Sequence, residues 1–184
     1  MQTTSGQMTA QRLRALLEGG TLAGQWVLDP RKSSIRLKSK SMWGLVPVNG
    51  VFREVRGDGT VSQDGKVSGM VTVGAASIET KNAKRDKHLR SADFFDTANN
   101  PDITFTADGI GPSDQGVTVT GALTVRDRTR PLSFDAAASL QGDDEIWLDA
   151  QTHINRADFG LDWNSMGMAA MNNTLTIHAV FTRR

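Results

Sequence analysis

The sequence contains no cysteine. This absence excludes a disulfide framework, a thiolate metal site and a cysteine nucleophile, so the stability of the fold must come from packing. An excess of charge of either sign is also lacking, because Lys and Arg number 21 and Asp and Glu number 20. The resulting net charge of +1 provides no overall field that would attract a polyanion. Nucleic acid is therefore not an expected partner.

Long apolar runs are missing as well. No stretch approaches the roughly 18 to 20 apolar residues that a membrane-spanning helix needs, so we expect no transmembrane segment. Residues 1–24 contain Arg12 and Arg14 and no continuous apolar core, which is the central feature of a secretion signal. If Met1 is the native start, we expect a cytoplasmic location.

The first part of the chain has a helical pattern. Leu13, Leu16 and Leu17 recur at helical spacing and are followed by Gly19-Gly20, which predicts a short amphipathic helix over residues 9–18. We interpret residues 1–24 as an N-terminal extension. The length of 184 residues suits one domain in total, so residues 25–184 form the predicted main domain.

From residue 25 onward the apolar period changes to two, which is typical of half-buried strands. Ile35 and Leu37, for example, alternate with Arg36 and Lys38. The same alternation recurs in residues 67–73, 103–107, 117–125, 132–140, 146–154 and 175–181. Turn signals between the runs favour hairpins, and they lie at residues 57–59, 64–65, 109–116 and 142–144. The pattern predicts an antiparallel meander rather than a βαβ fold.

About eight strands with one apolar face each can close into a barrel that has room for side chains or one slim ligand. A two-sheet sandwich is the competing solution. The inward positions include many small residues, namely Ala75, Gly121, Ala136, Ala138, Ala150 and Ala179. They leave room for a ligand, or they lie where strands approach closely or a large neighbour fills the space.

One segment, residues 80–96, interrupts the β pattern. Leu89, Ala92 and Phe95 repeat there at helical spacing, Thr80 is a candidate N-cap, and residues 99–101 supply a turn. The segment predicts a helix that plugs or gates one end of the barrel. Its charged part contains five basic residues, which could bind phosphate or an anionic lipid surface, although we favour a solvated helix face.

Candidate catalytic and metal-binding residues are few. No serine lies in a GxSxG motif, and His88, His153 and His178 lack the local spacing of a metal site. His153 and His178 are out of phase with the inward positions and should point outward. Asp86 and Arg156 could both reach one end of the barrel and pair there as a structural clamp.

Several blocks of residues 25–184 follow one another in an order and spacing that a known family shares. They are Trp26-Val27-Leu28-Asp29-Pro30 with Ser33, Ser34 and Ile35, then residues 48–52, 77–80, 85–96, 101–105, 121–126, 129–132 and 154–161. Together they resemble the YceI family of polyisoprenoid-binding, lipocalin-like bacterial proteins. The resemblance implies an all-β, elongated, eight-stranded antiparallel barrel with a short helix at one end, an apolar channel and often a homodimer.

We therefore predict a protein that binds, stores or transports a long-chain apolar ligand: a polyisoprenoid, an isoprenoid quinone or a fatty-acid derivative. The predicted channel lining is Ile35, Leu37, Val71, Val73, Phe94, Phe105, Leu123, Phe134, Leu148, Ile154, Trp163 and Ile177. The predicted rim or head-group residues are Arg85, Asp86, His88 and Arg156. No catalytic residue, metal or other cofactor is expected. Trp163, near Phe159, is our candidate for the channel mouth, whereas Trp43 and Trp147 could line the channel or cover an interface.

Two other functions remain open. An enzyme acting on a bound isoprenoid or lipid could use His88 and Asp86 as acid and base. A ligand-free interaction module would instead have a barrel filled by its own side chains.

Overall fold

The computed structural model describes residues 6–7 and 9–184, so residues 1–5 and 8 of the predicted extension lie outside the described residues. The two α-helices are α1 (Ala10–Glu18) and α2 (Ala83–Arg90). The strands are β1 (Gly6–Gln7), β2 (Gly24–Leu28), β3 (Ser34–Ser41), β4 (Val46–Phe52), β5 (Val55–Val61), β6 (Val67–Gly74), β7 (Ile78–Glu79), β8 (Asp102–Ser113), β9 (Gly116–Val125), β10 (Arg128–Gln141), β11 (Glu145–Asn155) and β12 (Asn172–Arg183). Short 3₁₀ helices span Ala75–Ser77, Arg156–Phe159 and Ser165–Gly167.

The strands close into an antiparallel barrel. β2 and β3 pair with successive parts of β12, and β5 and β4 pair with β2 and β3 in turn, so β2–β3 and β4–β5 each act as one interrupted barrel strand. From β5 the pairing runs through β6, β8, β9, β10 and β11 back to β12. This closed circuit of eight strands confirms the predicted meander barrel and excludes the sandwich.

Residues 57–59 do not form the predicted turn, because they lie inside β5. The glycines serve close strand packing instead. A Cβ atom at Gly57 would lie 2.8 Å from the carbonyl oxygen of Met70, and one at Gly69 would lie 2.7 Å from that of Asp58. Between β8 and β9 only residues 114–115 form the connection. The turns containing Gly65 and Gly142 are present, and both glycines have positive φ angles of 79° and 63°.

Helix α1 closes one end of the barrel. It begins as predicted, because the Thr9 hydroxyl accepts a hydrogen bond from the Arg12 amide, and Gly19 caps its C-terminus. Leu13 and Leu17 are buried in a cluster with residues of β2, β5, β9, β10 and β11. The amphipathic pattern of the helix is therefore satisfied by the barrel itself.

The predicted helix over residues 80–96 is shorter than expected. Thr80 is not the N-cap, because both its amide and its hydroxyl donate to Oδ1 of Asp86, at 2.9 and 2.5 Å. The side chain of Asn82 caps the helix instead, by accepting from the Arg85 amide at 3.0 Å. The helical turns therefore start at Ala83.

The end of α2 also differs from the prediction. The Ser91 hydroxyl donates to the carbonyl oxygen of His88, and the Ser91 backbone is extended, so Ala92 and Phe95 lie beyond the helix. Phe95 is nevertheless buried in a second cluster, with Phe52, Ile78 and residues of the strands. The α2 segment covers the end of the barrel opposite to α1.

Candidate functional site

The barrel encloses an apolar cavity of about 510 Å³. It extends from α1 to the α2 end, and the two hydrophobic clusters meet around Phe105, Leu148, Ile177 and Phe181. The cavity wall includes all of the predicted channel residues, which are Ile35, Leu37, Val71, Val73, Phe94, Phe105, Leu123, Phe134, Leu148, Ile154, Trp163 and Ile177. Their contact with a ligand stays a prediction.

The middle of the barrel is not filled by side chains. Ile35, Leu37, Leu148 and Ile177 face inward from β3, β11 and β12, yet each is only partly buried. In a close-packed interior such side chains would have almost no surface that a water molecule could reach. Their partial exposure indicates that they border open volume. This feature disagrees with the alternative in which side chains fill the interior.

The small residues fall into two groups. Ala136, Ala138, Ala150 and Ala179 line the cavity. Gly121 does not, because a Cβ atom there would lie 2.1 Å from the carbonyl oxygen of Thr106 and 2.8 Å from the Phe105 ring. Ala75 is fully buried in the 3₁₀ helix before β7. Small size therefore leaves room at four positions and permits close packing at the others.

The floor of the channel was not predicted. Leu13 and Leu17 of α1 line the cavity together with Leu22 and Trp26. The indole Nε1 of Trp26 donates to the carbonyl oxygen of Leu22 at 3.0 Å, which satisfies its polar atom within an apolar wall. The leucine spacing was visible in the sequence, but the surface against which the helix packs depends on tertiary contacts.

An aromatic cluster lies at the end of the barrel that α2 covers. We call this end of the barrel the mouth. The His88 ring lies edge-on to Trp163 and Phe94, with centroid separations of 4.3 and 5.2 Å. The Phe94 and Trp163 centroids are 5.7 Å apart, and the Arg156 guanidinium carbon lies 5.3 Å from the Phe94 centroid. Trp163 is 39% exposed, so its ring faces both the cavity and solvent.

Arg156 holds the loop of residues 160–171, which we call the mouth loop. Its Nη1 donates to the carbonyl oxygens of Leu161 and Trp163, and its Nε donates to that of Ala170 at 3.0 Å. Burial lowers the pKa of the guanidinium, partly offset by the charge of Asp162. A residue whose donors are used in this way stabilises the mouth more than it binds a head group.

Arg85 and Asp86 are joined through Thr80. Arg85 donates from Nε to the Thr80 hydroxyl at 2.7 Å and from Nη2 to the Thr80 carbonyl oxygen at 2.9 Å. Asp86 is buried, accepts from Thr80 and does not border the cavity. The predicted Asp86–Arg156 clamp is therefore wrong, because each side chain has other partners.

His88 does not form an acid–base pair with Asp86. Its Nε2 lies 3.2 Å from Oδ2 of Asp93, whereas Asp86 is engaged by Thr80. The carboxylate beside the His88 imidazole therefore belongs to Asp93, which is exposed. The arrangement gives no support to a dyad formed by Asp86 and His88.

The remaining histidines and tryptophans of the prediction lie outside the cavity. His153 contacts the Thr174 hydroxyl at 3.1 Å, and His178 contacts Asp149 at 2.6 Å. Trp147 packs edge-on against His178, and Trp43 is 65% exposed. Among residues 6–7 and 9–184, no group of three or more His, Cys, Asp and Glu side chains could hold a metal ion. Neither helix in this part of the chain has the length and hydropathy to cross a bilayer.

An antiparallel meander barrel with an elongated apolar cavity belongs to the class of small barrels that have room for one ligand. The family profile described as a YceI-like domain matches residues 26–182, so the chain belongs to the YceI family. The chain is 34% identical over 137 residues to Protein YceI of Escherichia coli O17:K52:H18 (strain UMN026 / ExPEC), covering 70% of each protein.

Solved structures share the fold. BcnA of Burkholderia cenocepacia superposes with a TM-score of 0.74 at 22% identity, covering 83% of this chain and 98% of that one. A polyisoprenoid binding domain from Saccharophagus degradans, implicated in plant cell wall breakdown, gives 0.70 at 16% identity, covering 86% and 98%. At these identities the likeness establishes the barrel fold. Family membership supports ligand binding inside the barrel, and suggests a binding protein rather than an enzyme.

Proposed function

We propose that the protein binds a long-chain apolar ligand in its channel and stores or transports it. The observation that carries the proposal is the cavity of about 510 Å³ with an almost wholly apolar wall and half-buried Phe105, Leu148 and Ile177 where the two clusters meet. Burying one methylene group contributes about 0.8 kcal/mol, so some ten such groups contribute roughly 8 kcal/mol before ordering costs. Micromolar affinity corresponds to about 8.2 kcal/mol of net binding free energy, so a ligand with clearly more than ten buried methylene groups reaches it once the ordering costs are subtracted.

The proposed ligands are a polyisoprenoid, an isoprenoid quinone or a fatty-acid derivative. Family membership and the barrel shared with a domain described as polyisoprenoid binding support the first of these. Nε and Nη2 of Arg85 donate to Thr80, and Arg156 donates to the mouth loop. The polar end of the ligand should therefore lie at the mouth, near His88 and Lys40, which both line the cavity.

The experiment is extraction of purified protein with organic solvent, followed by mass spectrometry. We expect a long-chain lipid in the extract, and we expect the stripped protein to bind a fluorescent fatty acid that a polyprenol displaces. An empty extract together with no binding of either probe would contradict the proposal. Homodimer formation and a cytoplasmic location stay predictions, which sedimentation analysis and cell fractionation test.

A further inference from the structure

The mouth carries an unusual set of exposed apolar side chains. Within the part of the chain that the structure describes, seven large hydrophobic residues are exposed, and six of them lie at this one end. These six are Met42, Trp43, Leu45, Val46, Trp163 and Met166, which we call the apolar rim. Leu45 and Met166 are 80% and 81% exposed, which places them beyond the barrel wall. An exposed apolar group of this kind marks an interaction surface.

The rim is one connected surface. The β3–β4 hairpin tip carries Trp43, whose amide donates to the carbonyl oxygen of Met168 in the mouth loop at 3.2 Å. The amide of Ala170 donates in return to the carbonyl oxygen of Lys40 at 2.9 Å. Met42 and Trp163 also line the cavity. The apolar path therefore runs without interruption from the channel to the protein surface.

Three of the six non-glycine residues with positive φ in the described part of the chain lie at the two tips of the rim. Met42, Trp43 and Met166 have φ angles of 49°, 55° and 54°, in the left-handed region that large side chains rarely adopt. Neither tip gains burial of the side chain in return, because all three residues are exposed. Backbone conformations of this kind recur at functional sites, where the surrounding structure maintains them. Here they project three large apolar side chains outward.

Positive charge surrounds the rim. Lys38 and Lys40 are exposed on β3, and Lys84 and Lys87 are exposed on α2. None of these four forms an ion pair within residues 9–184. Acidic residues also lie at this end: Asp93 faces His88, Asp162 acts on Arg156, Asp96 accepts from Asn99 and Asn100, and Asp127 and Asp158 are exposed. None of these five forms an ion pair with the four lysines in the part of the chain that the structure describes.

We propose that the mouth docks on an anionic lipid bilayer. The apolar rim would enter the boundary between head groups and acyl chains, with the lysines at the level of the phosphates. A second copy of the chain fits this surface less well, because a two-fold interface would bring the same lysines together. The inference deepens the proposed function, since a ligand that partitions into membranes could then enter the channel without crossing water.

The test is co-sedimentation of the full chain with phosphatidylcholine vesicles that contain or lack phosphatidylglycerol. We expect binding only to the anionic vesicles and weakening by salt. The double variant Trp43→Asn/Leu45→Ser should bind at least about tenfold more weakly. Asparagine tolerates the left-handed backbone at position 43, so the substitution adds no strain. Lys84→Gln/Lys87→Gln should also weaken binding. The control is Met70→Ser, which changes an exposed apolar residue on the barrel wall and should leave vesicle binding unchanged.

Unchanged vesicle binding by the rim variant, or no binding by the wild type, would overturn docking. So would a dimer that the rim substitutions dissociate, because the rim would then be a protein interface. Binding of a soluble fluorescent fatty acid is measured in parallel. Retention of that binding with loss of docking supports both proposals, whereas failure of fatty-acid binding in the wild type counts against the channel function alone.

Discussion

The imidazole of His88 and the indole of Trp163 meet edge to face, with ring centroids 4.3 Å apart, where α2 faces the mouth loop. The two residues are 75 positions apart in the sequence, and both line the cavity. Such a pair contributes about 0.5–1.5 kcal/mol beyond burial of its area. The contact joins α2 to the mouth loop.

Replacing His88 with alanine should therefore loosen the mouth. We expect a soluble fluorescent fatty acid to dissociate about threefold to tenfold faster, because the lost ring contact corresponds to about 1 kcal/mol. Stopped-flow displacement measures the rate. Lys87→Ala, on the exposed side of the same helix, is the matched control. Equal rates for both variants would show that the ring contact does not control release.

The open volume at the middle of the barrel can be tested by filling it. Ile177 and Thr176 are neighbours on β12, but Ile177 lines the cavity and Thr176 is exposed. Ile177→Trp should abolish or strongly weaken binding of long-chain probes, since an indole would occupy the space of the ligand. Thr176→Trp should bind as the wild type does. Thermal unfolding of both variants checks that the fold survives. Full binding by Ile177→Trp would place the ligand elsewhere.

The channel could be predicted from the sequence because a strand has a strict period of two. Once Leu37 and Ile177 are assigned to strands with one apolar face, their side chains must share the inside of any closed sheet. The strand register then places these side chains next to each other, because Leu37 lies opposite Leu175 and Ile35 lies opposite Ile177.

Other parts of the site depend on contacts that a sequence pattern does not contain. Arg156 bonds to carbonyl oxygens, which every residue has, so its partners could not be identified by residue type. The exposed tip at Met42 and Trp43 depends on positive φ angles, which the residue types do not favour. The Thr80 hydroxyl bonds to Asp86 instead of a helix amide, and the residue type alone does not distinguish the two arrangements.

The importance of Arg156 for the mouth loop gives a stability prediction. Arg156→Ala should lower the free energy of unfolding by about 3 kcal/mol, because one buried and several partly buried carbonyl oxygens lose their donor. Arg156→Lys should recover only a minor part, since one ammonium group cannot reproduce the fork of a guanidinium. Urea denaturation provides the measurement. A loss below about 1 kcal/mol in the alanine variant would mean that the loop is held by other contacts.

Helix α1 should contribute to the stability of the barrel as well as close it. Leu13 is 5% exposed within the cluster at the channel floor, whereas the neighbouring Arg12 is exposed. Leu13→Ala should cost about 2–4 kcal/mol, and Arg12→Ala less than about 0.5 kcal/mol. The comparison is made by thermal and urea unfolding of both variants. Similar small losses would indicate that the barrel is stable without the helix.

The ion pair between Lys32 and Glu145 predicts a pH dependence of stability. Nζ of Lys32 lies 2.5 Å from Oε2 of Glu145, and Nε1 of Trp147 donates to Oε1 at 2.6 Å. The hydrogen bond from Lys32, followed by that from Trp147, lowers the pKa of Glu145 from its usual 4.5. Because the folded pKa is the lower one, the contribution is complete above about pH 4.5 and is lost as the pH falls through the folded value.

Glu145→Gln removes the charge but keeps an acceptor for Trp147, so it isolates the effect of ionisation. We expect its melting temperature to lie about 2 °C below that of the wild type at pH 7, with the gap closing as the pH falls toward 3. High salt should narrow the gap at pH 7, because the pair is partly exposed. A gap that stays constant between pH 7 and pH 3 would assign the effect to packing of the side chain rather than to its charge.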